Sequence, residues 1–241
     1  MTDFQFAPWR EQAERYAKKH YPREACGLIV VIKGRERFFP CENRAIGDDH
    51  FVIDAIQYAE AQDAGEIVGV FHSHCGIGPE PSEADMVSCE RGRAPWHIYA
   101  HPAGRWHSFS PSGYRAPLVG RQFQHGVLDC YATIRDGYQE LFGITLPNFE
   151  RQDDWWHRGE NLYLDNFSKA GFGVVDSPSH GDVLLMQMSS PVPNHAAIWL
   201  EGDMILHHLH GRLSSRDVYG EFYRKNTVRV LRHAERNPPL R

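Results

Sequence analysis

The chain has 241 residues, enough for two domains of ordinary size. Its 41% hydrophobic and 24% charged residues exclude a disordered polypeptide, and a net charge of −5 with no long basic stripe argues against binding nucleic acid. No apolar run reaches the length of a membrane span, so membrane insertion is not expected, and the first residues lack the features of a secretory signal, so folding in the cytoplasm is. The five cysteines follow no framework spacing and are expected as thiols. The 15 histidines cluster, at 72 and 74, at 97, 101 and 107, and at 207, 208 and 210.

In chain order, the three-and-four spacing of Trp9, Ala13, Tyr16 and Ala17 predicts a helix over 8–19. A strand from Cys26 to Ile32 follows, with Gly34 as the turn of a hairpin into Arg37–Pro40. A helix is expected over 54–64, a strand over 67–71, a helix from Ser82, and short strands over 96–100 and 106–109. This predicts an α/β or α+β domain, a mixed sheet flanked by helices, over residues 1–110. The turn-rich run Ser110–Pro117 reads as a linker. Beyond it helices come first, over 128–142 and 161–170, then strands over 182–188, 195–200, 204–209 and 228–231. That order predicts a separate α+β domain over 118–241.

His72 and His74, two apart on a strand, point to one face. With Asp85 they make three ligands and leave a fourth position for water, the ligand count of a catalytic zinc. Zinc would bring that water's pKa to roughly 7, and Glu24, just ahead of a strand, is the candidate to carry its proton. Each piece also has a plain explanation: a histidine pair on a strand is common, and Ser82 with Asp85 is an ordinary helix cap. Together, Glu24, His72-x-His74, seven residues, Ser82, two residues and Asp85 resemble the motif of the JAMM (MPN-plus) metalloproteases. The resemblance implies His72, His74 and Asp85 as zinc ligands and Glu24 as acid and base. It implies Ser82 as the hydroxyl that steadies the oxyanion, with a peptide or isopeptide bond as substrate. Cys75 departs from the motif, which commonly has proline there.

Cys130 opens the helix whose apolar side is Tyr131, Ile134, Tyr138, Leu141 and Phe142, with Asp129 as N-cap. The helix dipole is expected to lower the thiol pKa at that position, though a helix cysteine is more often plain packing. The base and its orienter come from the segment His195–Leu200, a turn at 201–203, and Met204–His208. A two-residue turn puts His208 on the face of His195, and a three-residue turn puts His207 there.

This half resembles the NlpC/P60 cysteine peptidases of the papain-like superfamily, through Asp129-Cys130, Gly181–Leu185 and His195–Leu200. The resemblance implies Cys130 as nucleophile, His195 as base and His207 as the third residue. Phe123 stands where a tyrosine is usual, and Tyr131 where serine is frequent. A JAMM domain ahead of an NlpC/P60 domain further resembles the tail-tip proteins of lambda-like phages. That implies synthesis in a host cytoplasm, other tail-tip proteins as partners, and peptidoglycan stem peptides cut at the cell wall. Two rival readings are a structural tail component with dormant sites and a cellular JAMM peptidase that processes ubiquitin-like tails.

Overall fold

In the computed structural model, which describes residues 7–47 and 50–236, the hydrophobic pattern resolves into two separate sheets. The chain divides into two compact units, Met1–Arg115 and Ala116–Arg241. Among the described residues no helix is long and apolar enough to cross a membrane.

The first unit runs α1 (Arg10–His20), β1 (Cys26–Ile32), β2 (Arg35–Cys41), α2 (Ala55–Ala64), β3 (Glu66–Cys75), α3 (Glu83–Gly92), β4 (Trp96–His101) and β5 (Arg105–Phe109). The strand order is β2-β1-β3-β4-β5, with β3 and β4 parallel and the other pairs antiparallel. The sheet is mixed, as expected. Lys33 (φ 51°) and Gly34 (φ 74°) close the β1–β2 hairpin in the left-handed conformation that a two-residue turn needs. On one face α1 buries Trp9, Ala13 and Ala17 among Ile29, Phe38, Phe71 and Tyr99. On the other, Ala61 of α2 packs with Cys26, Leu28 and Val30. Alternation along β3, paired through Cys26 and His72, places His72 and His74 on this second face.

The expected linker is fastened to the first unit. The Glu90 carboxylate accepts the N–H groups of Ser112, Gly113 (2.9 Å) and Tyr114 (3.0 Å), and the Tyr114 hydroxyl donates to Glu83 at 3.1 Å.

The second unit contains α4 (Cys130–Phe142), a 3-10 turn at Trp155–His157, α5 (Leu162–Asn166), β6 (Phe172–Val175), β7 (Val183–Met186), β8 (His195–Leu200), β9 (Met204–His207), β10 (Ser215–Val218), α6 (Glu221–Asn226) and β11 (Thr227–His233). Its antiparallel sheet has the order β10-β9-β8-β7-β11-β6. Tyr131, Ile134 and Tyr138 of α4 join Ala196, Ile198 and Leu206 in one core. Leu141, expected on that side, is 39% exposed; Phe142, packed edge-on to Tyr138 at 5.3 Å, takes the inner place in the last turn. The close approach of α4 to β8 depends on Gly137, where a Cβ would lie 2.5 Å from Ile198 Cδ1. A glycine inside a helix costs about 1 kcal/mol relative to alanine, so contact with the β8 strand is the use made of it.

The helix expected over 161–170 stops at Asn166, whose side-chain amide turns back to the Leu162 carbonyl at 2.8 Å, and Gly171 (φ 86°) then leads into β6. Strands β6 and β10 and helix α6 had no counterpart in the sequence reading. They are four to six residues long, and Ser215-Arg-Asp-Val218 carries almost no apolar alternation.

Candidate metal centre and candidate cysteine site

The β1–β3 ladder continues past its last strand pair. The Ser73 N–H donates to the Ala25 carbonyl, and the Ala25 N–H donates to Ser73 Oγ, each at 2.9 Å. Extending the register brings Glu24 beside His74. Glu24, His72, His74 and Asp85 are all buried. Their donor atoms converge: His72 Nε2 lies 3.1 Å from His74 Nε2 and 3.3 Å from Asp85 Oδ1, and His74 Nε2 lies 3.5 Å from Asp85 Oδ2. A tetrahedral zinc with bonds near 2.0–2.1 Å separates its ligand atoms by about 3.3 Å, so these three residues fit that ion. His74 Nδ1–H donates to the Gly78 carbonyl at 2.7 Å, which leaves Nε2 as the lone-pair nitrogen. The His72 ring is held by stacking, on Phe51 at 4.7 Å and edge-on to Trp96 at 5.4 Å.

Asp85 reaches the cluster because it is the third residue of α3, where Ser82 builds a reciprocal cap. Ser82 Oγ accepts the Asp85 N–H at 3.1 Å, while Asp85 Oδ2 accepts from the Ser82 N–H at 2.7 Å and from its hydroxyl at 2.8 Å. The cap and the converging carboxylate are thus one arrangement. Burial raises the Glu24 pKa against the pull of His72 and His74. Asp85 is held well below the ordinary carboxylate range: burial opposes ionisation, but the imidazoles and Ser82 outweigh it. Cys75 is the last residue of β3, on the opposite side of the alternation from His74, and is not part of the cluster.

In the second unit Cys130 is the first residue of α4 and half-buried. The Ala196 N–H, next to His195, donates toward its Sγ, and the Tyr163 hydroxyl lies 3.1 Å from it. On the β8–β9 hairpin Leu200 pairs with Met204, which makes 201–203 a three-residue turn. His207 accordingly shares a face with His195, and His195 Nε2 and His207 Nδ1 are 3.1 Å apart. His208 points elsewhere, with Nε2 3.1 Å from the Arg212 carbonyl and the ring edge-on to Phe123. The dipole argument for a lowered thiol pKa does not hold: burial first, then the charge of Asp129, push the Cys130 thiol up to about 11. Burial and the neighbouring His207 take His195 down to about 3.

Three contributors were not foreseen. Arg151, from the irregular segment after α4, sends Nε and Nη2 to the two carboxylate oxygens of Asp129 at 2.8 and 3.3 Å. Asp129 also accepts the N–H groups of Ala132 (2.8 Å) and Gly126 (2.9 Å), which ties down the turn before Cys130. Tyr163 comes from α5, and Asp217 of β10 lies behind His207. An aspartate three residues after a glycine and just before a helix cysteine asks for a cation, but nothing in the sequence says which arginine supplies it.

Comparison with known proteins agrees with this two-part architecture. Residues 6–111 match the family described as prokaryotic homologs of the JAB domain, and residues 120–232 match the NlpC/P60 family. The chain is 36% identical over 224 residues to the tail tip assembly protein K of Escherichia phage N15, covering 91% of this chain and 92% of that one. It is 42% identical over 178 residues to the protein of the same name from Escherichia phage lambda, covering 73% and 86%. The chain belongs to the tail tip assembly protein K family. Among solved structures, it is similar to a JAB1/MPN domain protein from Archaeoglobus fulgidus, at 20% identity over 46% of this chain and 89% of that one, with a TM-score of 0.30. The two family matches place the zinc-compatible cluster in the JAB-like part and Cys130, His195 and His207 in the NlpC/P60 part.

Proposed function

We propose that this chain is a tail-tip hydrolase of a phage, with a cysteine endopeptidase for peptidoglycan stem peptides in residues 118–241 and a zinc peptidase in residues 1–110. The observation that carries the first activity is Cys130 at the start of α4, its Sγ met by the N–H of Ala196, the residue after His195, whose ring pairs with His207. Sγ attacks a stem-peptide carbonyl as its proton passes to His195. The N–H groups at the start of α4, that of Cys130 included, stabilise the oxyanion. The tetrahedral centre then collapses: the C–N bond breaks, His195 protonates the leaving amine, and a thioester remains on Cys130. Water, deprotonated by His195, hydrolyses the thioester and restores the thiol. The relatives' names support a place at the tail tip among other tail-tip proteins; synthesis in the host cytoplasm and action at the cell wall belong to the same proposal.

With the thiol near 11 and His195 near 3, the resting pair is uncharged, and the thiolate forms only as the proton moves to His195. Alkylation of Cys130 by iodoacetamide, followed by mass spectrometry of its peptide, is therefore expected to be slow at pH 7 and to climb through pH 10. A rate already at its plateau by pH 6 would mean a preformed thiolate–imidazolium pair and would contradict this account.

In the first unit a zinc ion on His72, His74 and Asp85 would supply a water of lowered pKa and polarise the scissile carbonyl. Glu24, buried and raised in pKa, is the group that would hold a proton there and hand it to the leaving amine. Ser82 fixes Asp85 through the cap, and its hydroxyl, which donates to Asp85 Oδ2 at 2.8 Å, would have to turn from that carboxylate to meet an oxyanion. Asp85→Ala is expected to lower bound zinc from about one per chain to a small fraction, since two neutral imidazoles remain. Metal analysis after dialysis gives the answer, and unchanged zinc in the variant would sink the ligand assignment.

A further inference from the structure

Behind the histidine pair lies a carboxylate that the mechanism above does not use. β10 is an edge strand paired with β9, in register Ser215 with His207 and Asp217 with Ile205. Asp217 Oδ2 stands 3.2 Å from His207 Nε2 and accepts the Tyr223 hydroxyl at 3.0 Å. The Ser215 hydroxyl also bonds to it, and Arg212 Nη1 lies 3.7 Å away. Burial alone would raise the Asp217 pKa; Ser215, His207 and Tyr223 together hold it below the ordinary value. Asp217 is therefore ionised at neutral pH, and an ionised carboxylate only accepts hydrogen bonds.

The consequence passes along the ring nitrogens. His207 Nε2 faces an acceptor, so the proton of that ring sits on Nε2. Burial disfavours a second proton on His207, which leaves Nδ1 as a lone pair. His207 Nδ1 is 3.1 Å from His195 Nε2, so His195 carries its own proton on Nε2 to make that bond. His195 Nδ1 is then the lone-pair nitrogen left for the thiol. In the reverse arrangement His207 would donate from Nδ1, His195 would carry its proton on Nδ1, and no lone pair would remain to receive the proton of Cys130.

We propose that Asp217 is a positioning residue that sets the tautomer of His195 through His207, a role that rests on the reading of Cys130 and His195 as nucleophile and base. It touches no reacting atom. Its effect is to choose between two hydrogen-bond directions that the two imidazoles by themselves leave open. Tyr223 and Ser215 keep the carboxylate in place as an acceptor.

Asp217→Asn tests this, because an amide can donate to His207 Nε2 and reverse the whole chain. In the intact protein at pH 7.5, 15N spectra of the imidazoles, assigned with His195→Gln and His207→Gln, are expected to show both rings as the Nε2–H tautomer. In Asp217→Asn both are expected as Nδ1–H. Peptide release should fall by about 10³-fold in kcat with KM little changed, as expected when a triad-like base is held in the wrong tautomer. Asp217→Ala, which removes the acceptor without adding a donor, should lose less than Asp217→Asn, and Asp217→Glu should recover part of the rate. Unchanged tautomers in Asp217→Asn would overturn the inference, as would equal losses in the Asn and Ala variants. The spectra need no substrate, so they decide the matter even where undiminished activity of Cys130→Ala shows that the nucleophile itself was misassigned.

Discussion

Lowering the pH from 7.5 to 5 is expected to destabilise the second unit by several kcal/mol. His195 and His208 are both buried, and burial takes their pKa values down to about 3 and about 4. The unfolded chain binds these protons near pH 6.5, so at pH 5 each imidazole withholds about 2 kcal/mol of the stability it contributes above pH 6.5. The sign follows from the depressed folded pKa: the contribution is complete above pH 6.5 and is lost as pH falls toward 4. Below that, Asp129 and Asp182, whose pKa values are held down by their arginines against burial, begin to lose their ionised form and add to the loss. Hydrogen exchange in peptides spanning β7 to β9 reads this within the whole chain. Protection should weaken steadily between pH 7 and 5 once intrinsic exchange is corrected for, and flat protection over that range would contradict the burial argument.

Arg151→Met is expected to cost the second unit about 3–5 kcal/mol, the range found when one partner of a buried ion pair is removed. The Asp129 carboxylate is 2% exposed and the Arg151 side chain 6%, so neither charge has water to fall back on. Arg151 also lies over the Tyr131 ring at 5.0 Å and donates to the Gly126 carbonyl at 3.1 Å, so its loss loosens the turn that delivers Cys130. Adding Asp129→Asn should recover much of the lost stability, because no unpaired charge then stays buried. Urea denaturation of the single and double variants measures both effects; a loss under 1 kcal/mol for Arg151→Met would mean that the ion pair adds little.

Much of the first centre was legible because its information is local. His72 and His74 share a strand face by period-two alternation, and the same cap that signals a helix at Ser82 also aims Asp85. In the second centre the hairpin offered two registers; the resemblance implied His207, and the pairing of Leu200 with Met204 puts His207 rather than His208 on the face of His195. Arg151, Tyr163 and Asp217 were illegible for a different reason. They lie in an irregular loop, a five-residue helix and a four-residue edge strand, positioned by tertiary packing rather than by any periodic pattern. The thiol pKa was misread because the helix dipole is visible in a sequence, whereas burial and the charge of a neighbouring N-cap act only once the chain is folded.

On the proposed reading the two centres act independently, and Cys130 is the one that cuts the cell wall. Release of soluble peptides from purified peptidoglycan by wild type, Cys130→Ala and Asp85→Ala, with zinc and reductant present, tests it most directly. The expected result is release by wild type and Asp85→Ala and a loss of at least about 10³-fold in Cys130→Ala. Undiminished release by Cys130→Ala, or none from wild type, would contradict it.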